Sequence, residues 1–224
     1  MSVMQTSFNL PVYAFKAFSF QHSVAELIVS CDNYGFSHFP IVDNGLYVGM
    51  IRHDDLLNVE DKSVELKKYA HLVERIFLTD QMNWTEILSS FIAHETNVLA
   101  VLDNTGKFVG IRLLDDILTL LAEKSFINED GYILVISRLS SEYSMSQVVQ
   151  IIESNDGIIH GILVNSRGRE IELEVKIQTD DINEIIQTFR RYDYNIISRF
   201  EEDLHLQELK DHSDFLRRYL EMGN

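Results

Sequence analysis

Phe39-Pro40-Ile41-Val42-Asp43-Asn44-Gly45-Leu46-Tyr47-Val48-Gly49 reads as a strand, a tight turn and a second strand. Asn44-Gly45 is a strong two-residue hairpin signal, because both residues tolerate positive φ. About sixty positions on, the same grammar returns as Leu99-Ala100-Val101-Leu102-Asp103-Asn104-Thr105-Gly106-Lys107-Phe108-Val109-Gly110. Thr105 lengthens the second turn by one residue, and past it the offset between the copies grows from 60 to 61 and holds. Gly49 then matches Gly110, Asp54-Asp55 matches Asp115-Asp116, and Leu56-Leu57 matches Ile117-Leu118. Upstream, Ser23-Val24-Ala25-Glu26 and Asn83-Trp84-Thr85-Glu86 both read as helix starts. In each, the first residue caps and the Glu three positions on reaches back.

Two units of about sixty residues therefore share one order: strand, helix, strand, hairpin, strand, helix. The pattern predicts two similar α/β units, packed face to face about a pseudo-twofold axis. The cleft between such units is a natural ligand site.

Composition sets the outer limits. The chain has 224 residues, 46% apolar and 24% charged, the mix of a folded protein with a core of its own. Cys31 is the single cysteine, which excludes an intrachain disulfide and a Cys-based zinc cage and suits a reducing cytoplasm. Met1–Leu10 has neither a basic start nor an apolar run, so no signal peptide is expected. No run of about 18 apolar residues exists to span a bilayer. The net charge of −16 opposes a phosphate backbone, and the basic pairs Arg190-Arg191 and Arg217-Arg218 sit among acids. Neither nucleic acid nor membrane is an expected partner.

His38-Phe39-Pro40-Ile41-Val42-Asp43, Val48-Gly49-Met50-Ile51 and Asp55-Leu56-Leu57 together resemble a CBS domain. The second copy, Val98-Leu99-Ala100-Val101-Leu102-Asp103, Val109-Gly110-Ile111 and Asp116-Ile117-Leu118, is looser, with Ala100 in place of Pro40. The resemblance, to a tandem CBS pair or Bateman module, covers about residues 5 to 125. The two motifs are placed at 1–64 and 65–127.

The resemblance implies adenosine-containing ligands in the clefts between the motifs. The family's contact signature is a glycine, two apolar residues, Ser or Thr, two residues of any type, then Asp. That Asp starts a helix and accepts hydrogen bonds from the ribose hydroxyls, and Asp55 and Asp116 match it. Each also stands where a helix N-cap would, and both roles remain open. The Ser/Thr position holds Arg52 in the first copy and Leu113 in the second. Arg52 is assigned to a ligand phosphate, with Arg112 beside the second site. Free N–H groups at the helix start beneath each Asp would add to it. The first motif is therefore the favoured site. Phe39, Pro40 and Ile41 would form an apolar ceiling, although all three also read as core strand residues, the preferred role for Ile41. Phe18 and Phe20 are further candidates to stack on a base.

The second half reads differently. Tyr132–Ser137 is a strand, Ser144-Met145-Ser146-Gln147 a capping box opening a helix, and Asn155-Asp156-Gly157 its stop. Ile158–Val164 is a strand and Asn165-Ser166-Arg167-Gly168 a turn. Ile171, Leu173, Val175 and Ile177 alternate with Glu172, Glu174 and Lys176, which reads as an edge strand blunted by charge. A helix follows from Thr179-Asp180-Asp181, then a last strand over Tyr194–Ile197. The order βαββαβ over 131–199 is that of a ferredoxin-like unit and resembles an ACT domain. That family's usual turn glycine is replaced by Ser140-Ser141, so docking or dimerisation is expected there rather than amino-acid binding. Residues 200–224 read as a charged C-terminal helix with Leu206, Leu209, Leu216 and Leu220 on one side.

No catalytic constellation emerges. The eight histidines lack metal-ligand spacing, and there is neither a phosphate-cradling glycine loop nor a nucleophile elbow. Cys31, beside Asp32, reads as a buried structural thiol. The expectation is a non-enzymatic, cytoplasmic α/β regulator with no metal and no resident cofactor. Its layout resembles regulators of the acetoin-utilisation protein B type. It would sense an adenine nucleotide or S-adenosylmethionine, form a homodimer and signal to a protein partner. The alternative is a ligand-free dimerisation or scaffold module whose CBS sites have degenerated.

Overall fold

The computed structural model describes residues 10–198. It is a mixed α/β chain in two compact units that divide after Ala122.

The first unit holds both repeats. Its first copy has α1 (Val24–Tyr34), β1 (His38–Asp43), β2 (Leu46–Arg52) and α2 (His53–Leu57). A 3₁₀ helix over Leu66–Leu72 leads into the second copy: β3 (Leu78–Thr79), α3 (Trp84–Ala93), β4 (Val98–Leu102), β5 (Phe108–Leu113) and α4 (Leu114–Ala122). The predicted caps form as reciprocal pairs. Ser23 accepts from the Glu26 N–H while Glu26 accepts from the Ser23 N–H, and Asn83 and Glu86 repeat the exchange. Asn44 and Gly45 both take positive φ, at 50° and 78°, as the hairpin requires. Both hairpins carry a register shift at the same place, between Ile41 and Val42 and between Val101 and Leu102.

The repeats exchange edge residues. The chain at Phe18 runs parallel to β1, and β3 runs parallel to β4. The opposite edge of each hairpin is closed by chain from further off. Glu74 pairs with Met50 on β2, and Tyr13 pairs with Ile111 on β5. Residues 65–67 also hydrogen-bond back to the first copy, through Ser23, His22 and Phe20. The expected division at 64/65 therefore does not hold in space, because backbone pairing ties 65–74 to the first motif and Tyr13 to the second. The buried residues of this unit form two clusters, one for each copy, except that Tyr47 and Met50 of β2 pack into the second. Phe18, Leu27, Phe39, Ile41 and Ile51 fill the first, whereas Ile87, Phe91, Leu99, Val101 and Ile111 fill the second.

The second unit opens with α5 (Ser125–Asn128), then β6 (Tyr132–Leu139), α6 (Met145–Glu153), β7 (Ile158–Arg167), β8 (Glu170–Gln178), α7 (Ile182–Arg191) and β9 (Asn195–Ile196). Residues 123–127, expected with the second CBS motif, belong here, because Phe126 on α5 packs onto Gly161 of β7. The sheet order is β7-β8-β6-β9, all antiparallel. Strand β8 thus lies inside the sheet, not at its edge. Its alternation arises because Leu173, Val175 and Ile177 enter the core with α6 and α7, while Glu172, Glu174 and Lys176 point to the other side. The box predicted at Ser144 is only half made. Ser144 caps the Gln147 N–H, but the Gln147 side chain accepts from Arg138 instead of reaching back. The expected C-terminal helix lies outside the described residues.

Candidate functional site

Ser37 and Asn97 occupy equivalent positions, 60 apart, immediately before β1 and β4, and they touch. Asn97 Oδ1 accepts from the Ser37 N–H at 2.9 Å and from Ser37 Oγ at 3.0 Å, and the Asn97 N–H donates to Ser37 Oγ at 3.2 Å. The contact thus joins equivalent residues of the two copies. Each of the two residues also holds the helix that follows its hairpin. The His53 N–H donates to the Ser37 carbonyl at 2.9 Å, and the Leu114 N–H to that of Asn97 at 3.0 Å. The signature carboxylates Asp55 and Asp116 ride on these two helix starts.

Beyond this point the copies diverge. Asp55 is exposed in the first turn of α2, and no hydrogen bond reaches its carboxylate among the described residues. Asp116 is half-buried and already engaged. Its Oδ1 accepts from the Tyr13 hydroxyl at 2.8 Å, and its Oδ2 from the Leu113 N–H at 3.3 Å. The expected contribution of a helix N-terminus fails at the first site, since α2 has only five residues and no developed macrodipole.

Arg52 Nη2 donates to Glu95 Oε2 at 3.0 Å, a bond from the first copy to the loop after α3. Glu95 holds the guanidinium above its ordinary pKa, with Asp54 and Asp55 adding to the same direction. The Glu95 side chain is 77% exposed, so the pair is open to water and to exchange with another anion. Arg112 differs. It is buried, stands 4.0 Å from Asp80, and its Nε has no partner among the described residues. Burial holds its pKa below the usual guanidinium value.

Phe39 and Ile41 do not form a ligand ceiling in this structure. Both have zero exposure, and the Phe39 ring is packed among Phe15, Phe18 and Phe36. Pro40 is buried too, its carbonyl accepting from the Phe18 N–H. Phe18 is itself in the core, against Phe39 and His22. Strand alternation alone does not show which face a crossing chain covers, so it leaves the ceiling and core readings of these residues both open.

His38 escaped the sequence reading. It is 5% exposed, with Nδ1 3.0 Å from Ser37 Oγ. Burial lowers its pKa first and Arg52 lowers it further, with Glu74 and Asp55 opposing. The motif position before Phe39 was the available signal. Cys31 behaves as expected of a buried thiol, its pKa pushed up to about 12 by burial and then by Asp32.

Two concavities lie nearby. One of about 380 Å³ sits beside the Ser37–Asn97 contact, lined by Ser37, Phe91, Ile92, Glu95, Thr96, Asn97 and Leu114. Another, about 650 Å³, runs between residues 14–18 and the outer side of α1. Neither includes Asp55 or Asp116 in its lining. No group of three or more metal-ligating side chains occurs among the described residues, and no described helix is long and apolar enough to cross a membrane.

Residues 19–62 match the family model of the CBS domain. The chain carries a CBS domain. The matched stretch holds α1, the first hairpin, Arg52 and Asp55. Among curated proteins, Hemolysin C of Brachyspira hyodysenteriae is 25% identical over 148 residues. That match takes in 59% of this chain and 54% of the relative, so the chain spans about half the length of the curated relative. Among solved structures, a CBS domain pair/ACT domain protein of Thermotoga maritima is 24% identical, covering 50% of this chain and 93% of its own, with a TM-score of 0.44. The CBS domain of a bacterial CNNM/CorC family Mg2+ transporter, solved in complex with ATP, is 18% identical, covering 46% and 76%, with a TM-score of 0.38.

Proposed function

We propose that this chain is a non-enzymatic regulator whose first CBS motif binds an adenosine-containing ligand: AMP, ADP, ATP or S-adenosylmethionine. The observation that carries the reading is Asp55. By resemblance to the family signature it takes the ribose-accepting position, within the residues that match the CBS domain, and its carboxylate is exposed with no hydrogen-bond partner among the described residues. A free carboxylate accepts from two vicinal hydroxyls at once. Arg52, three residues earlier, has the exposed Glu95 as its side-chain hydrogen-bond partner among the described residues, and it exchanges that carboxylate for a phosphate. Binding reports outward because Glu95 belongs to the second copy, so the exchange loosens one link between the motifs and shifts their arrangement.

The second unit, with its β6-α6-β7-β8-α7-β9 order, is proposed as an ACT-like, ferredoxin-like docking domain. A homodimer, a protein partner and a cytoplasmic setting complete the proposal, in the manner of acetoin-utilisation protein B-type regulators. Titration calorimetry with each of the four ligands tests it. One binding event per chain, abolished in Asp55→Ala and weakened in Arg52→Ala, is expected. The absence of heat at millimolar concentration for all four overturns it.

A second reading, a ligand-free scaffold, is favoured by particular features: Phe39 and Ile41 are wholly interior, and Asp116 is already engaged. Release of adenine-containing material on denaturing the purified protein decides against that reading.

A further inference from the structure

We infer that Tyr13 is a built-in gate on the second motif, its phenol hydroxyl standing in for a ligand hydroxyl at Asp116 and closing that site to adenosine-type ligands until the side chain swings away. The inference rests on the proposed role of the signature Asp as a hydroxyl acceptor and extends it to the second copy.

Four observations support it. The Tyr13 hydroxyl donates to Asp116 Oδ1 at 2.8 Å, the bond a ribose hydroxyl would make. The contact is held in place by the backbone: the Tyr13 N–H donates to the Ile111 carbonyl at 2.8 Å, and the Ile111 N–H donates to the Tyr13 carbonyl at 2.9 Å. Gly110 makes that approach possible, since a Cβ there would collide with the Tyr13 carbonyl and come within 2.9 Å of Val12. The Tyr13 residue is 42% exposed, so its side chain has room to rotate outward while the backbone bridge stays.

The first copy shows what the gate consists of. Glu74 crosses Gly49 in the equivalent place, with the same two backbone bonds to Met50 at 2.8 and 2.9 Å. A carboxylate has no proton to give Asp55 at neutral pH. The same crossing therefore delivers a donor to Asp116 and brings no donor in the first copy, which leaves Asp55 open and Asp116 occupied. The sequence separation of 103 between Tyr13 and Asp116 also ties the state of the second site to the start of the described chain.

The test is calorimetry with AMP and with S-adenosylmethionine on wild type, Asp55→Ala, Tyr13→Phe and the double variant. Tyr13→Phe keeps the ring and the backbone bridge and removes only the donor. Wild type is expected to bind one ligand per chain, Asp55→Ala none, and the double variant one. At the second site the gain from losing the competing hydroxyl is on the order of tenfold or more in affinity. If Asp55→Ala still binds one equivalent with Tyr13 intact, there is no gate. If wild type binds one and the double variant none, the gate is wrong and the reading of the first motif stands. If wild type binds none and the double variant one, the gate stands and that reading falls. If neither wild type nor any variant binds, both fall.

Discussion

The two CBS-like copies place the same backbone over the same glycine and hang different chemistry from it. Over Gly110 passes Tyr13, which donates to Asp116, whereas over Gly49 passes Glu74, which has nothing to donate to Asp55. Their interiors differ in a similar way. The first is built round an aromatic group of Phe15, Phe18, Phe36 and Phe39, and the second round aliphatic β4, buried along its whole length. Duplication thus preserved what the backbone needs: cap, hairpin, bulge and glycine. It left free what a site needs, which is the side chain at the crossing and the residue before the helix.

The comparison is open to breakage at several levels. The largest effect is expected from Phe39→Ala, which removes a fully buried ring and should cost about 3–5 kcal/mol in denaturant unfolding. Leu99→Ala, at the matching position of the second copy, should cost about 2–5 kcal/mol. A loss at Phe39 below 1 kcal/mol, on the scale of a surface site, would mean that the aromatic group is not the core of the first copy.

Next come the crossings. Gly49→Ala drives a methyl toward the Glu74 carbonyl and to within 2.7 Å of Val73, and Gly110→Ala does the same at Tyr13 and Val12. Each should destabilise by about 1–3 kcal/mol, since overpacking against backbone has no cheap relief. Unequal losses would show that one crossing is looser than the other and would sharpen the asymmetry.

The caps should behave alike. Ser23→Ala and Asn83→Ala each remove one capping side chain and are expected to lower stability by about 1 kcal/mol. Circular dichroism melts of the pair would expose any copy that does not depend on its cap.

The last difference is one of pH. His38 is buried where the second copy has Val98. Its folded pKa is lowered, chiefly by burial, so the unfolded chain binds the proton more tightly. The stability it contributes is present above the unfolded value of about 6.5 and is lost as pH falls from there through the folded value. Denaturation midpoints should drop between pH 7.5 and 5.5, and His38→Val should flatten that slope. An unchanged slope would assign the acid sensitivity to other groups.

Much of the architecture was readable from local pattern. The two caps, the Asn44-Gly45 turn, the lengthened second turn and the alternation in β8 are events within a few residues, governed by φ preferences and short hydrogen bonds. The site was less readable. That Phe39 and Ile41 face inward depends on Phe15 and Phe18 arriving from upstream. That β8 is interior depends on β6 and β7 flanking it, and charge alternation is the same for an edge strand and for one with a polar outer side. The half-made cap at Ser144 follows from Arg138, nine residues before Gln147 and on another element, capturing the amide.

The amino-acid order by itself determined that the chain repeats one α/β unit, where its helices begin, and which two carboxylates sit at equivalent helix starts. Those features rest on neighbours in sequence, whose geometry the backbone fixes locally. Only the folded chain decided that the two carboxylates are unlike, because their partners come from positions no local pattern connects. Tyr13 reaches Asp116 across 103 residues, and Arg52 reaches Glu95 across 43.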